Sequence, residues 1–288
     1  MRRLSLSFVL AFVITVQASD IAAQQAVAQR TPRSGGIPGT ELVIVATDFQ
    51  FQVPPQVDAG LVNIRLFNRG KEMHHVLVIK VDRMDRLAQI ADELKANRYM
   101  NAWMHPLGGP ESVGPGGVSS ASMVLEPGRY VLACIVASPT THRQHFMDGM
   151  LRELSVVKAP GPEVRATLPP AELSLSMKEW SFTLTGALHA GRRTIRVEND
   201  GTIEHHLSIV RLIGGATALQ AAHWMENPQG PPPFEPVGGT TGLGPKAAVN
   251  VTVDLMPGEY AFLCTLYNPL AKKTHSAMGM VNSYTVTS

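Results

Sequence analysis

Two cysteines stand in the 288-residue chain, and both open the same pattern. Cys134 begins CIVASPTTHRQHFMDGM, which ends at Met150, and Cys264 begins CTLYNPLAKKTHSAMGM, which ends at Met280. A thiolate, an imidazole and a thioether at matched spacing are metal-ligand chemistry. For two cysteines in an exported chain the plain alternative is a disulfide. A bridge needs Cα atoms roughly 5.5 Å apart, whereas a unit of about a hundred residues has a radius of gyration of about 13 Å. Cysteines in equivalent places of two separate units are therefore expected to stay unbridged. Inert buried thiols would need no histidine and methionine repeated behind them.

The pattern belongs to a longer repeat. Gly60/Gly191, Ile64/Ile195, Asn68/Asn199, Gly70/Gly201, His74/His205 and His75/His206 coincide without a gap at an offset of 131. Farther on, at 130, Pro127-Gly128-x-Tyr130 meets Pro257-Gly258-x-Tyr260, and Cys134, His145, Gly149 and Met150 meet Cys264, His275, Gly279 and Met280. Each half is one copy of a single unit. The repeat selects among candidate ligands. His142 and Met147 share the His145/Met150 spacing but land on Lys272 and Ala277, so His145 and Met150 are preferred. Met278 lands on Asp148 and reads as packing or as a neighbour of the ligands. Of the paired histidines, His205 is in phase with Leu207 and Ile209 and His206 with Ser208, which favours the first of each pair. His189 and His223 have no counterpart and read as ordinary surface or core residues.

The donor set is then His74, Cys134, His145 and Met150 in one copy and His205, Cys264, His275 and Met280 in the other, with His75 and His206 the alternatives for the upstream histidine. One thiolate, two imidazoles and a weak thioether favour copper; zinc would ordinarily take a second thiolate, a third imidazole or a carboxylate. With these residues the chain resembles the cupredoxins, the blue (type 1) copper proteins, whose pattern is an upstream histidine and then Cys-loop-His-x-x-x-x-Met. The resemblance covers about 40–158 and 174–288. The ten residues between cysteine and histidine exceed the loop of the small electron carriers, a departure that bears on partner docking. The resemblance implies a type 1 copper site in each copy and electron transfer with a redox partner protein. Copper sequestration or delivery, with a copper donor or acceptor as partner, needs the same ligands, and a cupredoxin-like chain without metal is a further alternative. A copper nitrite reductase or multicopper oxidase relative would typically carry a histidine beside the ligand cysteine. Here Ala133 and Leu263 precede the cysteines, Ile135 and Thr265 follow them, and no His-x-His occurs.

The elements that must position these residues read as strands. LVNIRLFN, HHVLVIKV, TIRVEN, HHLSIV and VNVTV alternate or run apolar, and PGRYVLACIV and PGEYAFLCTL put each cysteine at the far end of a strand behind a Pro-Gly turn. MDRLAQIADELKAN places Met84, Leu87, Ile90, Ala91 and Leu94 on one helical face. The expected fold is all-β: two tandem Greek-key β-sandwich domains, 40–158 and 174–288, with short helical insertions. The Pro-rich 159–173 is the expected linker. GGPESVGPGG and GGTTGLGPK precede strand-like sequence and read as loops, not phosphate cradles.

Bulk properties exclude other classes. Net charge is +2 with no dense Lys/Arg block, so no nucleic-acid partner is expected. Met1-Arg2-Arg3, the apolar run from Leu4 to Val16 and the small residues ending at Ala26-Val27-Ala28 read as a signal peptide, 1–28. A periplasmic or secreted protein follows, with no stable membrane insertion after cleavage and no lipid-anchored start, since neither cysteine lies near the cleavage region.

Overall fold

The computed structural model describes residues 39–83, 87–96, 102–161 and 166–288. The expected signal peptide, 1–28, lies outside them, as do Met84 and residues 162–165 of the expected linker.

Alternating side chains set the strands. In β4 (Gly60–Asn68), Val62, Ile64, Leu66 and Asn68 turn inward, and in β12 (Gly191–Asn199) Ile195, Val197 and Asn199 do the same. Each pairs in parallel with an earlier strand, β4 with β1 (Thr40–Thr47) and β12 with β10 (Leu173–Lys178). Each also pairs antiparallel with a later one, β4 with β7 (Val118–Leu125) and β12 with β15 (Ala248–Leu255). Short β2 (Gln50–Gln52) and β11 (Ser181–Thr185) close the two outer edges.

The second layer carries the cysteines. In the first copy it runs β3 (Gln56–Asp58), β9 (Leu151–Val157), β8 (Gly128–Ala133), β5 (Leu77–Val81), β6 (Met104–Pro106). In the second copy it runs β14 (Phe234–Leu243), β13 (His205–Leu212), β16 (Gly258–Leu263), β17 (Val281–Val286). Strands β8 and β16 each follow a Pro-Gly turn. Their fully buried Tyr130 and Tyr260 donate the phenol O–H back to the carbonyls of Glu126 (2.8 Å) and Met256 (3.0 Å), which anchors the strand start. The chain is thus built from all-β sandwiches, as the sequence pattern predicts.

The two first layers are one sheet. β7 pairs with β15 through Ser122↔Asn250 and Ala121↔Val251, giving the order β11-β10-β12-β15-β7-β4-β1-β2. One core runs through both copies, from Leu42 and Ile44 to Phe262 and Val286.

The second glycine cluster is not a loop: Gly238–Leu243 belongs to β14, which pairs along β13 with register shifts. Its glycines serve close approach, since a Cβ on Gly239 would run into the Leu207 carbonyl oxygen.

Helices cover the outer faces of the cysteine-bearing sheets. The expected first helix is α1 (Leu87–Lys95), with Ile90 and Leu94 buried against Leu77, Ile79 and Val131. A second, α2 (Ala218–Glu226), sits at the equivalent place in the other copy and packs Ala218, Ala221 and Ala222 against Ala261 and Leu263. Its sequence signal is a capping box: Thr217 Oγ1 accepts from Gln220 N–H, and Gln220 Oε1 accepts from Thr217 N–H. Thr217→Ala is expected to cost about 1 kcal/mol in urea unfolding, with Thr217→Ser close to wild type; equal midpoints for all three chains would show that the cap contributes nothing.

Candidate metal centres

Each ligand loop is closed by the strand pair that flanks it. Cys134 N–H donates to Met150 C=O (3.1 Å), His145 N–H to Val136 C=O (2.9 Å) and Met150 N–H back to His145 C=O (3.0 Å). The second copy repeats this with Cys264 to Met280 (3.1 Å), His275 to Leu266 (2.8 Å) and Met280 to His275 (2.9 Å). A short 3₁₀ turn starts at His145 in one copy and just after His275 in the other, and is closed by Gly149 (φ 125°) or Gly279 (φ 112°), a backbone state that side chains other than hydrogen resist.

The upstream histidine is set by a buried asparagine. Asn68 donates to the carbonyls of Glu72 and Val113 and accepts from Gly70 N–H, while the His74 backbone pairs with Val113. Asn199 does the same with Ile203, Leu243 and Gly201, and His205 is the register partner of Leu243. The repeated Asn-x-Gly is therefore a knot that presents the histidine. Glycine is required in it because a Cβ on Gly70 would lie 2.7 Å from His74 Nε2, and one on Gly201 3.0 Å from His205 Nε2.

The result is two matching clusters. His74 Nδ1 is 3.0 Å from His145 Nδ1, which is 3.5 Å from Cys134 Sγ. In the second copy the distances are 3.2 Å between His205 and His275 and 3.3 Å from His275 Nδ1 to Cys264 Sγ. Within each trio every donor atom lies within 4.8 Å of the others, and the side chains are buried. Both cysteines are free. Met150 and Met280 are fully buried in the same loops. An aromatic ring adjoins each histidine pair: Phe49 with its centroid 4.8 Å from that of His145, Trp180 with its centroid 4.9 Å from that of His275.

Proton positions in the first cluster point to a cation. His74 Nε2–H donates to Asp48 Oδ1 (2.7 Å) and His145 Nε2–H to Glu72 Oε2 (2.9 Å). A neutral imidazole has one N–H, so both Nδ1 lone pairs face each other, and the single thiol proton can satisfy only one. A metal ion between them satisfies both and replaces that proton. The residues fit a soft cation held by two nitrogens and a sulfur.

The second cluster lacks those supports. Ile203 stands where the repeat has Glu72, and Glu179 stands in place of Asp48. The Glu179 carboxylate instead takes the N–H and O–H of Thr202, and the Thr202 backbone bond leads in holding it down to about 2. His205 Nε2 is buried without a hydrogen bond. Burial pushes both thiols up to about 12, and it brings His205 and His275 down to about 4. It also lowers His74 and His145, against the pull of Asp48 and Glu72.

The first histidine of each pair joins its cluster. The second turns away: His75 Nε2 accepts from Ile135 N–H (2.9 Å) and His206 Nε2 from Thr265 N–H (2.8 Å). His142, His189 and His223 are exposed and stand outside both clusters. The roles of Asp48, Glu72 and the asparagine knot escaped the sequence reading: Glu72 faces Ile203 and leaves no repeat signal, while Asp48/Glu179, Asn68/Asn199 and Gly70/Gly201 repeat without showing what they touch. Buried Glu204, beside His205, also escaped it; burial pushes its carboxyl up to about 8.

No family model and no curated protein matches the chain. Among solved structures, an auracyanin from Roseiflexus castenholzii is similar at 19% identity over 42% of this chain and 98% of its own, TM-score 0.31. A copper nitrite reductase from Nitrosomonas europaea is similar at 15% identity over 86% and 94%, TM-score 0.26. A multicopper oxidase is similar at 12% over 86% and 89%, TM-score 0.25.

The buried groups predict opposed pH slopes for the metal-free chain. Unfolded His205 and His275 take protons from the usual 6.5 downward and the folded rings only near 4, so stability falls as pH drops from 6.5 to 4. Folded Glu204 keeps until about 8 a proton that the unfolded chain loses near 4.5, so its contribution falls as pH rises between them. Urea midpoints of Glu204→Gln against pH should lose the second slope and keep the first; an unchanged profile would contradict the assignment. The chain carries all-β sandwiches, each copy with a buried His₂Cys cluster able to hold a metal ion.

Proposed function

We propose that the chain is an exported copper-binding electron-transfer protein, with one mononuclear type 1 site in each of two cupredoxin-like domains, about 40–158 and 174–288. The observation that carries the reading is the repeated triad of two Nδ1 atoms and one Sγ in a buried pocket. Met150 and Met280 are the weak fourth ligands on this reading, which the ligand chemistry of such sites supports.

Copper supplies one-electron chemistry when bound. The protein's part is to hold the donors in place before and after the electron moves. Loop ends stitched to strand ends keep the sulfur and rings from rearranging, and burial keeps water out. In the second copy His206 N–H donates to Cys264 Sγ (3.4 Å), a bond that draws charge from the sulfur. Asp48 and Glu72 orient the first copy's rings and raise their basicity, as outer hydrogen-bond partners of ligating histidines do. The redox partner is a protein whose surface meets the loops around the two histidine pairs.

Loading the full chain with copper should give two ions per chain and intense visible thiolate-to-copper absorption. Cys134→Ser and Cys264→Ser should each remove roughly half the colour; undiminished colour in both would refute the ligand assignment. Rapid, reversible oxidation and reduction with retained copper supports a carrier, whereas release of copper on reduction would sink that role in favour of delivery. Glu72→Gln should loosen copper about tenfold or more in the first copy alone, seen by competition with a chelator while the second copy's colour stays. Equal loosening in both copies would contradict the asymmetry of their supports.

A further inference from the structure

His75 and His206, the second residue of each histidine pair, remain to be explained. Each accepts at Nε2 from the backbone N–H directly after a ligand cysteine, at 2.9 Å from Ile135 and 2.8 Å from Thr265. A ring nitrogen that accepts carries no proton, so the proton of each ring sits on Nδ1.

Both rings line one cavity of about 390 Å³ between the copies, together with Ile135, Thr265 and the buried carboxylate Glu111. Glu111 Oε1 takes the N–H and O–H of Ser112, each at 2.8 Å, and lies 3.6 Å from His75 Nδ1, to which Ser112 Oγ is the hydrogen-bond partner at 3.5 Å. Its other oxygen, Oε2, is buried with no hydrogen-bond partner. The repeat places Thr241 opposite Glu111, so the carboxylate that lines the cavity with both rings comes from the first copy alone.

The backbone delivers Glu111 to this boundary. On one side Pro110 C=O accepts from Val76 N–H and Val113 C=O from His74 N–H. On the other, Thr241 N–H donates to Gly109 C=O and Glu111 N–H to Gly239 C=O, with bridges Leu107↔Leu243 and Pro110↔Thr240. The segment is tied to both copies at once.

We propose that Glu111 is a positioning residue for both metal pockets: it fixes the Nδ1–H groups of His75 and His206 and, through Nε2 of each ring, steadies the peptide that follows each ligand cysteine. The proposal rests on the two-site copper reading. A substitution in the first copy should then be felt at the second copy's metal.

The test uses copper-loaded full-length chains. In Cys134→Ser, where only the second copy is coloured, adding Glu111→Gln should shift the visible band and weaken copper binding about tenfold. In Cys264→Ser it should do the same to the first copy. An effect confined to the first copy overturns the proposal and leaves the copper reading standing. A measurement that needs no substitution stands beside it: nitrogen NMR of the metal-free wild-type chain should find the proton on Nδ1 of both His75 and His206. A proton on Nε2 of either ring overturns the proposal even if Glu111→Gln fails to fold. A wild-type chain that stays colourless with copper overturns the copper reading instead, and the ring tautomers still decide the role of Glu111.

Discussion

Two imidazole nitrogens held face to face beside a thiol, out of water, are the constraint around which each copy is organised. Such an arrangement is unfavourable by itself, because in the first copy the lone pairs oppose one another and in both a buried sulfur resists losing its proton. The surroundings hold it in place: the asparagine knot sets one ring, the loop closed by the cysteine and methionine backbones sets the other, and the strand end sets the sulfur. These are rigid elements with their own buried hydrogen bonds, and the site's geometry is inherited from them.

The copies share that geometry and differ in what stands behind it. In the first, Asp48 and Glu72 determine which ring nitrogen carries the proton. In the second, an isoleucine replaces one carboxylate and Thr202 diverts the other, so the rings lie in a less charged setting. Burial is the largest influence on both pairs; Asp48 and Glu72 oppose it in the first through hydrogen bonds and charge, Glu179 in the second through charge alone. Duplication kept the donors, and the environments diverged.

Much of the arrangement could be read from the residues, because a repeat tests each position twice. Lys272 and Ala277 ruled out the His142/Met147 register, and the phase of His205 with Leu207 singled out the histidine that joins the cluster. Strand positions followed from alternation, as in β4 and β12. What escaped was whatever depends on contacts distant in sequence. Asp48 meets His74 only because parallel pairing of β1 with β4 brings residues 26 apart together. The α2 helix was missed because its buried face is made of alanines, whose periodicity is faint, although its Thr217/Gln220 cap was there to be found. The glycine run in β14 was taken for a loop because glycine weakens a strand; close packing against Leu207 outweighs that here.

The seam between β7 and β15 has a consequence for either copy alone. Within the whole chain these strands lie at the middle of a sheet, where their backbone groups find partners across the seam. Cut free, a single copy would present that stretch as a bare border of unmatched N–H and C=O groups, a template on which a second identical copy can settle in the same antiparallel sense. Covalent tandem linkage thus turns a latent site of self-association into an interior one.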